Sequence, residues 1–234
     1  MLYKKKWKRI PAFLLLLAMM LGFTACSGNE EKRYQTYIKS LIAINYLGAT
    51  KDYIEASGAN ETDAQNLYNA NIELLTDNLL TYYGVKIDDA PEMRTQFEEL
   101  AKHIYSKVNY KVDKARKDGS VYLVDITIYP INLFQQTADE VVAYVDAFNA
   151  DVKAGVYNDY TLSEYETVFA QGLLDILNTG CENMTYADPE IVTVEIVEEG
   201  DKFYIKDRDF IAIDSAMISS AVTVEPATGS DTTE

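Results

Sequence analysis

Apolar residues recur every three or four positions over three stretches in the first half of the chain, which is the spacing of amphipathic helices. The first stretch starts at Tyr34, and Gly48 offers a break within it. The second begins at Asn60, a predicted N-cap, and ends at Gly84. The third covers residues 88–109, where two aspartates and a proline mark the helix start. Three helices are therefore predicted before the pattern changes.

From Tyr110 onward, apolar and polar residues alternate, which is typical of half-buried strands. A two-residue loop would pair Val112 with Asp125 and place the two apolar sets on opposite faces. A three-residue loop over residues 118–120 pairs Val112 with Ile126 and keeps the faces matched. We therefore predict a β-hairpin with the longer loop and a left-handed residue at Gly119 or beside it. Pro130 is expected to end the strand.

Two further helices are predicted from capping boxes, in which a Thr and a Glu three residues later satisfy each other's backbone donors. The first box is Thr137 with Glu140, and the second is Thr161 with Glu164. Apolar residues at helical spacing follow each box, and Gly180 is expected to end the second helix.

A second hairpin is predicted over residues 192–205, where a loop of even length on Glu199-Gly200 keeps the apolar residues of both strands on one face. The spacing of Phe210, Ile213 and Met217 indicates a short last helix, although this segment could equally continue a strand. The order of elements predicts an α+β fold, with an antiparallel sheet from two β-hairpins packed against about five helices.

The pattern also divides the chain. Residues 1–25 are predicted to be an export signal, 26–33 a short polar tether, 34–218 a single α+β domain, and 219–234 a disordered acidic tail with little to bury.

The predicted export signal has a basic head of five Lys and Arg residues, a short apolar run, and small residues before a cysteine. The apolar run is shorter than the roughly 20 residues that a membrane-spanning helix needs. Residues 23–26, Phe-Thr-Ala-Cys, resemble the bacterial lipobox, with Phe23 in place of the usual Leu. The resemblance implies that Cys26 is acylated after cleavage before it, which would anchor the protein to the extracytoplasmic face of the cell membrane.

The net charge of the chain indicates which classes of binding partner are expected. Without residues 1–25, 16 Lys and Arg stand against 37 Asp and Glu, a formal net charge of −21. Nucleic acid and anionic lipid surfaces are therefore expected to be poor partners, whereas basic peptides or cations would be attracted. A simpler explanation of the charge is that acidic surfaces keep exported proteins soluble.

No phosphate-binding glycine loop, zinc pattern, calcium loop or nucleophile elbow occurs, so the sequence predicts no catalytic, cofactor-binding or metal-binding residue. His103, with Glu99 and Lys107 one turn to either side, is either an oriented base or part of an exposed charge ladder. Cys181 has no expected disulfide partner and is more simply an inert thiol than a nucleophile.

Two other sets of residues leave alternatives open. Acidic clusters at 88–89, 198–201 and 207–209 are either solvated turns or carboxylates that bind a cation or act in hydrolysis. Tyrosine is in excess, and its flat apolar body with a polar tip suits either core packing or recognition of peptides and sugars. The residues concerned are Tyr34, Tyr37, Tyr46, Tyr53, Tyr82, Tyr83, Tyr105, Tyr157 and Tyr160.

The lipobox, the acidic helical start and the hairpin ahead of a capped helix are together similar to uncharacterised extracytoplasmic lipoproteins of Gram-positive-type bacteria. The resemblance implies a curved sheet related to the cystatin or nuclear-transport-factor-like group, and it implies a functional role for Cys26 only. Two hypotheses follow: a non-enzymatic module that binds a ligand or envelope protein in a tyrosine-rich concavity, or a membrane-tethered hydrolase of wall or peptide material that uses carboxylates.

Overall fold

The computed structural model describes residues 30–87, 89–199 and 202–219. Cys26, the predicted export signal and nearly all of the predicted tail lie outside the described residues. The helices are α1 (Glu30–Leu47), α2 (Thr50–Ser57), α3 (Glu61–Tyr83), α4 (Pro91–Tyr105), α5 (Leu133–Gln136), α6 (Ala138–Ala154), α7 (Leu162–Glu182) and α8 (Asp207–Met217). The strands are β1 (Asn109–Val112), β2 (Arg116–Asp118), β3 (Val121–Tyr129), β4 (Glu190–Glu199) and β5 (Lys202–Ile205).

The sheet is antiparallel throughout and has the order β1-β3-β4-β5, with β2 also paired to β3. The two hairpins meet because β3 pairs with β4 along seven residues of each strand. The predicted α+β class and the single sheet built from both hairpins are thus confirmed. The described residues form more helices than the about five that were expected: α2 follows the break offered at Gly48, α8 is the short last helix that was one of two alternatives, and α5 was not predicted.

The first hairpin has the predicted pairing but a different loop. Val112 lies opposite Ile126, as predicted, and Gly119 has a left-handed φ of 60°. However, Asp118 pairs with Val121, so the turn contains two residues rather than three. Between β1 and β2, the three residues 113–115 lie opposite only two residues of β3, 124–125. This extra residue acts as a β-bulge and keeps Val112 opposite Ile126 despite the shorter turn.

The second hairpin keeps the predicted even loop. Glu199 pairs with Lys202, so two residues separate the strands, and Ile196 lies opposite Ile205. The segment after this hairpin was predicted to be either a short helix or the continuation of a strand. It forms the helix α8.

Helix α7 differs from the prediction at its C-terminal end. It continues through Gly180 to Glu182, so Cys181 lies inside a helix. A Cβ atom on Gly180 would lie 2.6 Å from Thr137 Cγ2 and 2.7 Å from Leu133 Cδ1. Gly180 therefore permits a close approach between α7 and α5, and it does not end the helix.

The capping predictions have mixed outcomes. Asn60 accepts a hydrogen bond from the Asp63 N–H, and Thr161 forms the complete capping box with Glu164. The predicted box at Thr137 is wrong: Thr137 is buried, and its hydroxyl donates to the Leu133 carbonyl at 2.9 Å. The short helix α5 leads directly into α6, and this places the threonine between two helical segments where no free N-terminus needs a cap.

The core lies between one face of the sheet and the helices. Every second residue of β3 from Tyr122 to Ile128 is buried, and α1 and α8 pack on that face. Helices α3 and α4 pack against α1, and α7 packs against α4. Helix α1 is consequently central, and it starts at Glu30, four residues before the predicted domain boundary.

Backbone hydrogen bonds at Ile131 join the start of the α5–α7 segment to the C-terminal end of α8. The Ile131 N–H donates to the Met217 carbonyl, and the Ile131 carbonyl accepts from the Ser219 N–H, each at 2.9 Å. On the other side, the Asn132 N–H donates to the Thr185 carbonyl at 3.0 Å. Three segments that are far apart in sequence are joined at this point.

Candidate functional site

An open cleft of about 990 Å³ lies between α1, α2 and β1. Its position follows from the sequence, because Gly48, with φ of 65°, turns the chain after α1 so that α2 packs back beside it. The cleft is lined by Lys32, Arg33, Thr36, Tyr37, Lys39, Ser40, Ala43, Asp52, Glu55, Ala56, Tyr110, Lys111, Val112 and Phe203.

The residues that α1 contributes recur at helical spacing and so lie along one face. Lys32, Thr36, Lys39 and Ala43 are separated by three or four positions each. This face is polar, whereas the opposite face of α1 is buried in the core. The helix therefore serves two roles, with the core on one side and the wall of the cleft on the other.

Charges of both signs meet in the cleft. Lys32, Arg33 and Lys39 from α1 and Lys111 from β1 contribute the cations, while Asp52 and Glu55 from α2 contribute carboxylates. Lys111 Nζ lies 2.7 Å from Asp113 Oδ1 in an exposed ion pair. The cleft therefore places several cations close together in a chain whose net charge is strongly negative.

Two aromatic residues, one from α1 and one from β5, contribute to the lining of the cleft. Tyr37 and Phe203 are among the lining residues, with ring centroids 4.9 Å apart and perpendicular planes. The Arg33 guanidinium lies over Phe203, 4.8 Å from the ring centroid, within the range of a cation–π contact. Desolvation raises the pKa of Tyr37, so its phenol stays neutral.

Most of the tyrosines highlighted by the sequence pack in the core. Tyr34, Tyr37, Tyr46, Tyr53 and Tyr105 are buried, so core packing explains them. Tyr82 and Tyr160 are exposed, and Tyr83 and Tyr157 are half-buried. Among these nine, Tyr37 lines the cleft; Tyr110, which was not singled out, also lines it.

Glu198 belongs to a hydrogen-bonded pair, which the sequence pattern did not reveal. The Tyr34 hydroxyl donates a short hydrogen bond to the Glu198 carboxylate, and the Tyr122 hydroxyl donates to Glu30. Desolvation and the neighbouring Glu198 raise the pKa of Tyr34. These bonds attach the first turn of α1 to the second hairpin and to β3.

In the cluster at 207–209, Asp209 has a structural role, whereas Asp207 is exposed. Asp209 is buried, accepts the Glu195 N–H at 3.0 Å, and accepts from Arg208 Nε at 3.2 Å. Hydrogen bonding from Lys206 lowers the pKa of Glu195. No group of three or more metal-ligating side chains occurs within the described ranges. Asp88 and Asp201, from the other two acidic clusters, lie outside the described residues.

Among the described residues, His103 and Cys181 have no hydrogen bond or ion pair that would activate either of them. Glu99 pairs with Lys102 at 2.7 Å, and no hydrogen bond joins it to His103. Cys181 is fully buried, and desolvation raises the pKa of its thiol to about 11. The thiol is therefore neutral at physiological pH, as an inert core residue would be.

Sequence reasoning missed Asp214, a largely desolvated carboxyl on α8. The Tyr46 hydroxyl donates to Asp214 Oδ1 at 3.1 Å, and the Tyr105 ring lies edge-on to Tyr46 with centroids 5.0 Å apart. Desolvation raises the pKa of Asp214, although the hydrogen bond from Tyr46 opposes the rise. No sequence signal distinguishes it, because it lies beside the apolar stripe of α8 like any flanking residue.

Within the described ranges, none of the helices combines the length and apolar character required to cross a bilayer. No family model matches the sequence, and no curated protein matches it either. Among solved structures, the fold is similar to the crystal structure of a proposed lipoprotein, YcdA, from Bacillus subtilis, with a TM-score of 0.54 and 15% identity. The match covers 80% of this chain and 57% of that protein. It supports the fold, while the likeness to the cystatin or nuclear-transport-factor-like group stays a prediction.

Proposed function

We propose that the protein is a lipoprotein, anchored through Cys26 to the extracytoplasmic face of a bacterial membrane, that binds a ligand in the α1–α2–β1 cleft. The anchor is supported by the order of charge, apolar run and cysteine in residues 1–26. The name of the structurally similar Bacillus protein agrees with it.

The observation that carries the binding proposal is the meeting of both charge signs in one cleft. A ligand that bears a carboxylate and an ammonium group along an apolar body, such as a short peptide, matches this arrangement. Lys39 and Lys111 would contact the carboxylate, Asp52 or Glu55 the ammonium group, and Tyr37 and Tyr110 the apolar part.

The cleft would lie close to the membrane. Helix α1 starts four positions after Cys26, and even an extended chain covers only about 14 Å over that distance. Lys32 is in the first turn of α1. Ligand captured there would be held near the bilayer surface.

The alternative, a carboxylate-dependent hydrolase, needs two carboxyl groups close together with separated pKa values. Asp214 has a raised pKa, but its hydrogen-bond partner is the phenol of Tyr46. In the described part of the chain, Asp214 thus has the wrong partner for a catalytic dyad, and the binding function is the better supported of the two.

The anchor is tested by replacing Cys26 with Ala in the producing bacterium. We expect incorporation of labelled fatty acid to be lost and the precursor to accumulate or be processed differently. Unchanged labelling of this variant would contradict the anchor.

Ligand binding is tested with a tetrapeptide library applied to the immobilised full chain in non-ionic detergent, with free or blocked peptide termini. We expect peptides with free termini to bind and Lys39→Glu to weaken binding by about tenfold, because attraction becomes repulsion. Lys86→Glu, an equal charge change at an exposed position outside the cleft, is the matched control. Equal binding of blocked and free peptides, or equal effects of the two substitutions, would contradict the proposal.

A further inference from the structure

Half of the exposed large hydrophobic side chains in the described part of the chain lie in the hairpin formed by α6 and α7. Twelve large hydrophobic side chains are exposed in the described part of the chain, and six of them lie between residues 142 and 168. Leu162 is 70% exposed, and Val156 is 53% exposed. The six are Val142, Val152, Val156, Tyr160, Leu162 and Val168. Five of these lie in or beside the connection between the two helices, within residues 151–168, which we call the hairpin end.

The same hairpin carries an unbalanced negative charge. Residues 138–182 contain nine Asp and Glu and one basic residue, Lys153. Every ion pair among the described residues involves carboxylates elsewhere in the chain. At the hairpin end, Asp151 and Asp159 are exposed beside the apolar side chains. The charge of this surface is therefore available to a partner.

The hairpin end has a defined local structure, although few other elements contact it. Helix α6 packs mainly on α7 and α5, and Phe148 is its one buried side chain among the described residues. Tyr157, in the connection, stacks on Phe148 with centroids 4.9 Å apart. Gly155 ends α6 in a left-handed conformation, and the Thr161 capping box starts α7. A surface that is ordered beforehand loses less entropy when a partner binds.

We propose that the hairpin end is a docking surface for a cationic, partly apolar segment of another envelope protein. Exposed apolar side chains surrounded by charge are typical of protein interaction sites. The uncompensated carboxylates select a partner with Lys or Arg around its apolar contact. They oppose docking on an anionic bilayer, and they oppose pairing with the same surface of a second copy. This surface is separate from the cleft, so the proposal does not depend on ligand binding there.

The test uses the full chain in phosphatidylcholine nanodiscs and a dye-labelled 18-residue peptide of Leu and Lys at helical spacing, followed by fluorescence anisotropy. Empty nanodiscs supply the background. We expect saturable binding that weakens with added salt, and no binding by a matched peptide with Glu in place of each Lys. Val156→Gln with Leu162→Gln should weaken binding about tenfold, since two partly buried apolar contacts are lost.

Control variants with equivalent substitutions outside the hairpin show whether a loss of binding is specific to the hairpin end. Ile191→Gln with Ile211→Gln removes two exposed apolar side chains outside the hairpin, and affinity should stay within about twofold. Asp151→Asn with Asp159→Asn should weaken binding, whereas Glu61→Gln with Glu92→Gln should not. Circular dichroism of each variant checks that the fold is kept. Equal losses in the hairpin and control variants would show non-specific attraction and overturn the proposal, as would unchanged affinity in the hairpin variants.

Discussion

Asp214 shows how one polar side chain can be held in the packed part of a small domain. Its carboxylate accepts a hydrogen bond from Tyr46, a fully buried tyrosine. A neutral carboxyl or amide would make the same bond without the desolvation penalty that a charged group carries. The ionised Asp214 carboxylate therefore stabilises the fold less than a neutral carboxyl or amide at the same position would.

This gives a pH-dependent prediction for Asp214→Asn. The pKa of Asp214 is raised in the folded state, so its contribution to stability is most favourable below its unfolded pKa and is lost as pH rises through the folded value. At pH 7, the Asn variant should be more stable than the parent chain, and the difference should shrink toward pH 4. Urea unfolding at a series of pH values measures this. A variant that is less stable at pH 7 would show that the carboxylate makes a contact that the amide cannot replace.

At the scale of elements, the sequence predicts what depends on local chemistry. The Thr161 box, the end of α3 at Gly84 and the left-handed Gly119 were predicted correctly, because their signals lie within a few residues. The pairing of Val112 with Ile126 was correct because a slip by one residue would expose the apolar face. The bulge before β2 was not predictable from alternation, since an inserted residue and a longer loop leave the same register.

Features that depend on distant contacts were the ones missed. Gly180 resembles a helix terminator in sequence, but its role is set by Leu133 and Thr137, which belong to another part of the chain. The sequence suggested a binding concavity rich in tyrosine, whereas the cleft that the structure shows is lined by two tyrosines and several charged residues. Its charged lining comes from two helices and a strand, and no spacing within one segment signals that these would meet.

The role of Gly180 is tested by Gly180→Ala. Helix propensity alone would favour Ala by about 1 kcal/mol. The new methyl group would overlap Thr137 and Leu133, and overpacking of this kind costs about 1–3 kcal/mol. We therefore expect a net loss of stability in urea unfolding, partly recovered by adding Thr137→Ser, which removes one of the overlapping methyl groups. A stabilised Gly180→Ala chain would mean that α5 and α7 can separate without loss.

At the scale of the whole molecule, charge is distributed unevenly. The cleft beside α1 collects cations, while the α6–α7 hairpin has nine acidic residues against one basic residue. The expectation that anionic partners are excluded is therefore a statement about average charge, and individual surfaces differ from that average.

Self-repulsion predicts how the whole chain responds to salt. Added sodium chloride should raise the melting temperature smoothly by screening, and calcium chloride at equal ionic strength should add nothing further. Asp209, which was a candidate cation ligand, is already bonded to the Glu195 N–H and Arg208. Thermal unfolding in matched salt series measures the response. A saturable calcium shift that Asp207→Asn abolishes would reveal a cation site.

The backbone closure at Ile131 bears on when the protein can fold. Its partners, Met217 and Ser219, are made long after it on the ribosome. In a chain that emerges from its N-terminal end, the backbone hydrogen bonds of Ile131 to Met217 and Ser219 cannot form until almost the last described residue has emerged. Completion of the fold would then follow emergence of the chain, and the α5–α7 segment would stay accessible to proteases until that point.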